Sequence, residues 1–169
     1  MAEKLETGGV GSSAKAVSVR PVAPGEERVL WEVFRSSVHG IARLHYSPAQ
    51  LDAWAPAEYP GEAWAERIRG NAPLVAELHG VVVGFADVQA NGHIDQFFVS
   101  PAGAGRGVGR RLMAELEARA RAAGATGMSA DVSLSAEAFF ARHGFEVEQR
   151  QEVVVNGVVF RNARMTRSL

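Results

Sequence analysis

The stretch Pro101-Ala102-Gly103-Ala104-Gly105-Arg106-Gly107-Val108-Gly109-Arg110-Arg111-Leu112 sets four glycines between two contrasting patterns. An apolar run at 94–99 precedes it and predicts a buried strand, while apolar residues at helical spacing predict a helix over 109–123. The glycines therefore fall on a strand-to-helix turn. There the first helical amides lack acceptors and the helix dipole favours negative charge. Because glycine also lets an oxygen approach closely, the stretch predicts a phosphate or pyrophosphate site.

Two common phosphate-binding motifs do not account for this stretch. The chain has no Gly-Lys-Ser/Thr triplet, which a P-loop requires. The spacing of Gly105, Gly107 and Gly109 also differs from the Gly-x-Gly-x-x-Gly of a dinucleotide fingerprint. A glycine-rich connection that binds no ligand remains open at this point.

The composition is typical of one globular domain. A chain of 169 residues can bury an ordinary core. The formal net charge of -1 gives no electrostatic reason to expect a nucleic acid or membrane partner. The absence of cysteine excludes disulfides, thiolate metal sites and a cysteine nucleophile. The histidines lack metal-ligand spacing, so no metal is expected.

The chain divides into a tail and a domain. Residues 1–16 are rich in Gly, Ser and Lys and lack the apolar segment of a signal peptide, so they predict a flexible tail. Residues 17–169 form the expected domain. No apolar run approaches the roughly 18 residues of a membrane span, and the cytoplasm is the expected location.

Within the domain, helices are expected first and strands afterwards. A strand at 17–22 precedes helices that begin near Pro24, at Ser47-Pro48 and at Glu62. Strands at 73–78 and 81–89 flank His79-Gly80, which predicts a tight hairpin. After the glycine-rich turn and its helix come a strand at 127–132 and a short helix at 135–143. A hairpin around Asn156-Gly157 ends the chain.

The glycine-rich stretch resembles the acetyl-coenzyme A loop of the GNAT superfamily of N-acetyltransferases, Val-x-Pro-x-x-(Arg/Gln)-Gly-x-Gly-x-Gly/Ala. The matching residues are Val99, Pro101, Gly105, Gly107 and Gly109, while Ala104 stands where the family prefers Arg or Gln. The segment 136–145 resembles a second family motif, Asn-x-x-Ala-x-x-Phe-Tyr-x-x-x-Gly-Phe. The segment 47–56 is similar to a subgroup of small bacterial acetyltransferases of uncertain substrate.

This resemblance covers residues 17–167 and implies a fold and an activity. The implied fold is a single α/β domain with a mixed, mostly antiparallel sheet of about seven strands and helices on both faces. The implied reaction moves an acetyl group from acetyl-coenzyme A directly to a primary amine, with coenzyme A as product. The acceptor would be a small molecule or a peptide, and a homodimer is one open assembly.

The resemblance also implies which residues bind the cofactor. The strand at 94–99 would bind pantetheine and the thioester through its backbone, and the glycine-rich loop would bind the pyrophosphate. The implied cofactor-binding residues are Phe97, Phe98, Val99, Ala104, Gly105, Arg106, Gly107, Val108, Gly109, Arg110, Ser133 and Phe139.

Two residues are candidates for catalysis. Asp95 lies where many relatives carry a base glutamate, and it would act through water because Asp is one methylene shorter. Alternatively, Asp95 pairs with an arginine such as Arg106 and only fixes the strand. Phe140 occupies the position of the family's usual tyrosine acid and cannot donate a proton. Tyr46 is the candidate replacement, unless the thiolate leaves unassisted.

Phe140 and Ala104 keep a second class of function open. A non-catalytic module that binds or senses acyl-coenzyme A could be built on the same fold, since fold does not determine function. A structural pairing protein built on the final hairpin is a third possibility, and it would not bind coenzyme A.

Overall fold

The structure is a computed structural model that describes residues 17–169. The predicted tail at 1–16 lies outside these residues. The α-helices of the described part are α1 (Glu27–Ile41), α2 (Pro48–Trp54), α3 (Glu62–Asn71), α4 (Val108–Ala122) and α5 (Glu137–Arg142), with a 3₁₀ helix at Ala42–Leu44. The strands are β1 (Ser18–Pro21), β2 (Leu74–Leu78), β3 (Val81–Ala86), β4 (His93–Ile94), β5 (Phe97–Val99), β6 (Gly127–Ser133), β7 (Glu146–Val155) and β8 (Val158–Ser168).

The described strands form two four-stranded sheets. The first has the order β1-β2-β3-β5 and the second has the order β4-β6-β8-β7. Only the β4–β6 pair is parallel among the strand pairs of residues 17–169. The predicted α/β fold with mostly antiparallel strands is confirmed, but the expected single sheet of about seven strands is replaced by eight strands in two sheets.

The predicted strand at 94–99 is in fact two strands that belong to different sheets. β4 pairs with β6, whereas β5 pairs with β3. The chain changes sheets at Asp95, whose backbone N–H donates to the Asp87 side-chain Oδ1 at 3.1 Å. A side chain thus takes the place of a ladder partner, and β5 diverges from β6.

Helices cover both faces of the first sheet, as expected. Val75 on β2 points into a core that contains Leu30, Phe34 and Val38 of α1. Its neighbours Leu74 and Ala76 point into a second core with Leu112 and Leu116 of α4. Alternate residues of one strand face opposite sides of a sheet, so α1 and α4 lie on opposite faces.

The local signals in the sequence produce the expected turns and caps. Ser47 caps α2 in a reciprocal capping box with Gln50, and Pro48 begins the helix. His79-Gly80 and Asn156-Gly157 both close hairpins with positive φ at each residue.

Candidate functional site

The start of α4 has the geometry of an anion site. Gly107 caps the helix with φ +79°, and the Arg111 N–H donates to the Gly107 carbonyl at 3.0 Å. The amides of Val108, Gly109 and Arg110 precede that bond, so the helix provides them with no acceptor. A Cβ at Gly105 would meet nothing within 4 Å, so the loop is open at Gly105, and a Cβ at Gly107 would lie 3.8 Å from the Arg110 guanidinium.

The loop borders a cleft of about 700 Å³, the first cleft. Of the twelve predicted cofactor-binding residues, all but Arg106 line it. Phe139 lies against the first turn of α4, since a Cβ on Gly109 would come within 2.9 Å of its ring. Sequence reasoning missed Arg142 and His143, which also line the cleft. Both lie within about one helical turn of Phe139 in the sequence, and this spacing could have indicated that they face the same cleft.

The gap between β5 and β6 exposes backbone groups to the first cleft. The bonds Asp87 N–H to Gln96 O and Ser100 N–H to Val83 O fix the alternation of the β3–β5 ladder. In that alternation, the peptide groups of Phe97 and Val99 point away from β3, and those of Phe98 point toward it. Phe97 and Val99, rather than Phe98, therefore offer free backbone groups to a ligand.

A second cleft of about 580 Å³ adjoins the first. One wall comes from α1, α3 and the Asp95–Phe98 segment, and the other from one face of β6, β7 and β8. Three residues line both clefts, namely Trp54, Phe98 and Ser133. The two clefts thus meet where β5 diverges from β6.

Asp95 lies in the second cleft with its two oxygens in different situations. Oδ2 accepts hydrogen bonds from Arg67 Nη2 at 2.9 Å and from Asn71 Nδ2 at 2.7 Å. Oδ1 has no hydrogen-bond partner within residues 17–169. The suggested pairing with an arginine occurs, but its partner is Arg67 and not Arg106.

Asp87 is a buried carboxylate beside Asp95 that sequence reasoning missed. Its side chain accepts from the Asp95 backbone N–H and from Asn71 Nδ2, which also bonds Asp95. Burial, reinforced by the nearby Asp95 charge, raises the pKa of Asp87 to about 6. A lone acid at the end of an apolar strand, Val81–Ala86, was the signal in the sequence.

Tyr46 is held in a way that does not suit a proton donor. Its hydroxyl donates to the Arg161 carbonyl at 2.8 Å and accepts from the Leu134 N–H at 3.0 Å. Burial raises the pKa of the Tyr46 hydroxyl above its ordinary value. The ring lines the second cleft, but its proton is already bonded to a backbone oxygen.

Phe140 lies in the core and not in the first cleft. Its ring packs 5.6 Å from Phe97 and 5.1 Å from Phe145, measured between ring centroids, and 3% of the residue is exposed. The cleft is lined by the adjacent Phe139 instead. In this structure, the position of the family's usual tyrosine acid therefore lies in the core and not in the first cleft.

Neither a metal centre nor a membrane span is found in the part of the chain that the structure describes. No group of three or more His, Asp or Glu residues within 17–169 could hold a metal ion. No helix in the same range is long and apolar enough to cross a membrane.

An α/β fold with two clefts that meet at a diverging strand pair is suited to group transfer between two bound molecules. Residues 42–167 match the family model described as an acetyltransferase (GNAT) domain. The chain belongs to the GNAT acetyltransferase family, and the predicted family and enzyme class, an acyltransferase, are confirmed.

Individual relatives agree with this assignment. The chain is 31% identical over 149 residues to an uncharacterized N-acetyltransferase, YafP, of Escherichia coli strain K12, covering 88% of this chain and 94% of the relative. A solved GCN5-related N-acetyltransferase from Rhodopseudomonas palustris has a TM-score of 0.86 and 38% identity, covering 90% of this chain and 95% of that one.

A solved phosphinothricin acetyltransferase from Sinorhizobium meliloti, in complex with acetyl-coenzyme A, has a TM-score of 0.68. It is 24% identical to this chain, and the match covers 90% of this chain and 88% of that one. At this identity the likeness concerns the fold. The predicted cofactor agrees with the one bound in that complex.

Proposed function

We propose that the protein is an acetyl-coenzyme A-dependent N-acetyltransferase that transfers acetyl directly to a primary amine. The observation that carries this proposal is the meeting of the two clefts at Trp54, Phe98 and Ser133. A donor in the first cleft and an amine in the second would face one another across these residues. Direct transfer needs this proximity, because it brings both reactants into one site.

The first cleft has the groups that coenzyme A requires. The free amides of Val108, Gly109 and Arg110 suit a pyrophosphate, with the Arg110 guanidinium beside them. The unpaired peptide groups of Phe97 and Val99 suit the amides of a pantetheine arm. When bound, acetyl-coenzyme A supplies a thioester carbonyl carbon that an amine can attack.

Asp95 is the proposed general base. An alkylamine is protonated at neutral pH and attacks only after it loses a proton. The free Oδ1 of Asp95 would take that proton through a water molecule, while Arg67 and Asn71 hold Oδ2. The amine nitrogen then bonds to the acetyl carbon as the C–S bond breaks and its electron pair passes to sulfur. The second amine proton leaves to solvent, and the thiolate takes one proton from solvent.

No tyrosine acid is needed for this reaction. The Tyr46 hydroxyl is bonded on both sides, and Phe140 lies in the core. A thiol with a pKa of about 8.5 is a fair leaving group without assistance. We therefore assign Tyr46 a structural role and let the thiolate leave unassisted.

The proposal is tested by measuring binding and turnover separately. Calorimetry with coenzyme A measures binding, and release of free thiol from acetyl-coenzyme A measures turnover over a panel of primary amines. We expect binding together with thiol release for at least one amine. Binding without turnover of any amine would favour the acyl-coenzyme A sensor, and no binding would reject both.

The role of Asp95 has its own test. Asp95→Asn keeps the shape and removes the base, so kcat/KM should fall by about 10²–10⁴-fold at pH 7. The deficit should shrink at alkaline pH, where free amine is abundant, and this recovery serves as the internal control. Wild-type rates at pH 7 would reduce Asp95 to a residue that fixes the strand junction.

A further inference from the structure

The second cleft has an apolar wall next to the point where the clefts meet. Trp54 and Phe98 are half-buried, and their ring centroids are 6.2 Å apart. The buried Phe160 lies 6.1 Å from Trp54, and Phe160, Val153 and Val155 add apolar side chains from β7 and β8 on the facing side of the cleft. The volume of the second cleft, about 580 Å³, lies in the range of small-molecule sites. Flat apolar groups pack well against such a surface.

The other part of the second cleft is rich in hydrogen-bond acceptors. Its charged lining residues within 17–169 are Asp95, Asp131 and Arg67, and both carboxylates are paired, Asp95 with Arg67 and Asp131 with Arg164 at 2.6 Å. Arg67 already bonds Asp95 Oδ2, and Arg164 lowers the pKa of Asp131 and so keeps it ionised. A ligand carboxylate would thus face two carboxylates and find the lining cation already paired.

Asn162 adds a polar group at the meeting point. It lies opposite Ser133 in the β6–β8 ladder, so the two side chains share a face of the sheet. The Asn162 carboxamide makes no hydrogen bond within the described part of the chain, and its Oδ1 is buried without a donor. Turning this amide about its terminal torsion can present its oxygen to an N–H group.

We infer that the acceptor is a primary alkylamine joined by a short linker to a flat apolar ring, without a carboxylate or phosphate. This inference rests on the proposed acetyl transfer and names the substrate class of the same site. The ring packs against the side of Trp54 and Phe98 that faces the second cleft, and the amine nitrogen lies between Asp95 Oδ1 and the point where the clefts meet. Amino acids and long polyamines match the cleft less well, the former through charge and the latter because they lack a ring.

The substrate side of the test uses matched amines in the thiol-release assay with wild-type protein. The panel is 2-phenylethylamine, propylamine (no ring), phenylalanine (added carboxylate) and spermidine (several charges and no ring). We expect kcat/KM for 2-phenylethylamine to exceed that for each of the others by about tenfold or more, as burial of a ring allows. A ratio near one, or preference for phenylalanine or spermidine, overturns the inference.

The protein side of the test uses Trp54→Leu, which keeps an apolar side chain and removes the flat ring. The ratio of kcat/KM for 2-phenylethylamine over propylamine should fall toward one in this variant. Because the ratio compares two amines on one protein, losses of stability or cofactor affinity cancel. An unchanged ratio contradicts the proposed wall.

Binding measurements separate this inference from the proposed function. Calorimetric binding of acetyl-coenzyme A together with turnover of spermidine alone keeps the acetyltransferase and rejects the ring-bearing acceptor. A titration of tryptophan fluorescence with 2-phenylethylamine gives a readout independent of turnover. It should saturate at lower concentration than one with propylamine, and equal saturation also rejects the inference.

Discussion

At the scale of single residues, Tyr46 shows how a buried polar group can serve the fold. Its hydroxyl bridges the Arg161 carbonyl on β8 and the Leu134 N–H that follows β6. Removing a hydroxyl that satisfies two backbone groups leaves both without a partner. The residue thus ties the segment after α1 to two strands of the second sheet.

Tyr46→Phe should therefore affect stability and not chemistry. We expect the free energy of unfolding to fall by about 1–3 kcal/mol, measured by urea denaturation, because buried groups lose their partner. The kcat should stay close to wild type. Tyr59→Phe is the matched control, since the Tyr59 hydroxyl makes no hydrogen bond within residues 17–169. A large loss of kcat in Tyr46→Phe alone would restore Tyr46 as the acid.

Asp87 gives the protein a pH-dependent stability of unusual sign. Burial raises the pKa of Asp87 to about 6, so between about pH 4 and pH 6 the folded protein holds this proton more tightly than the unfolded chain. The stability that this tighter proton binding provides is fully present below about pH 4, the ordinary aspartate pKa. It is lost as the pH rises through 6.

Asp87→Asn should remove this dependence. Relative to wild type, the variant should gain about 2–3 kcal/mol in free energy of unfolding between pH 4 and pH 7, because the Asp87 pKa is about 6 in the folded protein and about 4 in the unfolded chain. Urea denaturation at several pH values measures the difference. Asp52→Asn, on the exposed surface of α2, controls for loss of one charge. Parallel pH profiles for Asp87→Asn and wild type would contradict the raised pKa.

At the scale of elements, the loop before α4 carries the proposed phosphate site on its backbone. Gly107 has φ +79°, so any side chain there is strained whatever its charge. Gly107→Ala and Gly107→Glu share that strain, and only the second adds a negative charge beside the free amides. The pair therefore separates backbone strain from electrostatics.

Gly107→Glu should abolish coenzyme A binding, whereas Gly107→Ala should retain part of it. Thermal denaturation with and without coenzyme A measures this, since a ligand raises the Tm only of a protein that binds it. We expect a rise in Tm for wild type, a smaller one for Gly107→Ala and none for Gly107→Glu. Equal rises in both variants would move the phosphate site elsewhere.

Elements with local causes could be predicted from the sequence. The capping box at Ser47 and Gln50 and the Asn156-Gly157 turn depend on neighbouring residues, and both occur as expected. The glycine-rich loop that borders the first cleft could be located for the same reason, since it is one contiguous motif.

Features with tertiary causes could not be predicted. The break between β4 and β5 depends on Asp87, eight residues before Asp95, and the partner of Asp95 comes from α3. Phe139 lines the cleft and Phe140 lies in the core because of how α5 is rotated against β5. The sequence alone does not fix that rotation, since either of two adjacent phenylalanines could face the cleft. The second cleft joins helices and strands from both halves of the chain, and no contiguous stretch encodes it.

At the scale of the whole molecule, the second cleft depends on contacts that join α2 to the final hairpin. Asn156 Nδ2 donates to the Ala53 carbonyl at 2.7 Å, and Gln50 Nε2 donates to the Val159 carbonyl at 2.8 Å. Ala53 is adjacent to Trp54, which lines both clefts. The β7–β8 hairpin of the second sheet thus holds α2, and with it Trp54, in place.

Asn156→Gly should loosen this attachment of α2 while keeping the turn. Glycine accepts the positive φ of 49° at this position, but it cannot bond Ala53. With one hydrogen bond lost, we expect the KM for the amine to rise by about three- to tenfold. The calorimetric Kd of coenzyme A, for which the proposed site is mainly the loop before α4, should stay unchanged.

His79→Gly is the matched control, because His79 has φ 52° in the turn between β2 and β3 and lies outside both clefts. Both substitutions add a glycine to a hairpin turn and so raise the conformational entropy of the unfolded chain. The resulting changes in the free energy of unfolding should be similar, about 1 kcal/mol or less. Only Asn156→Gly should change the KM for the amine. An equal change of KM in both variants would mean that general loosening of the fold, and not the bond from the hairpin to α2, governs access to the second cleft.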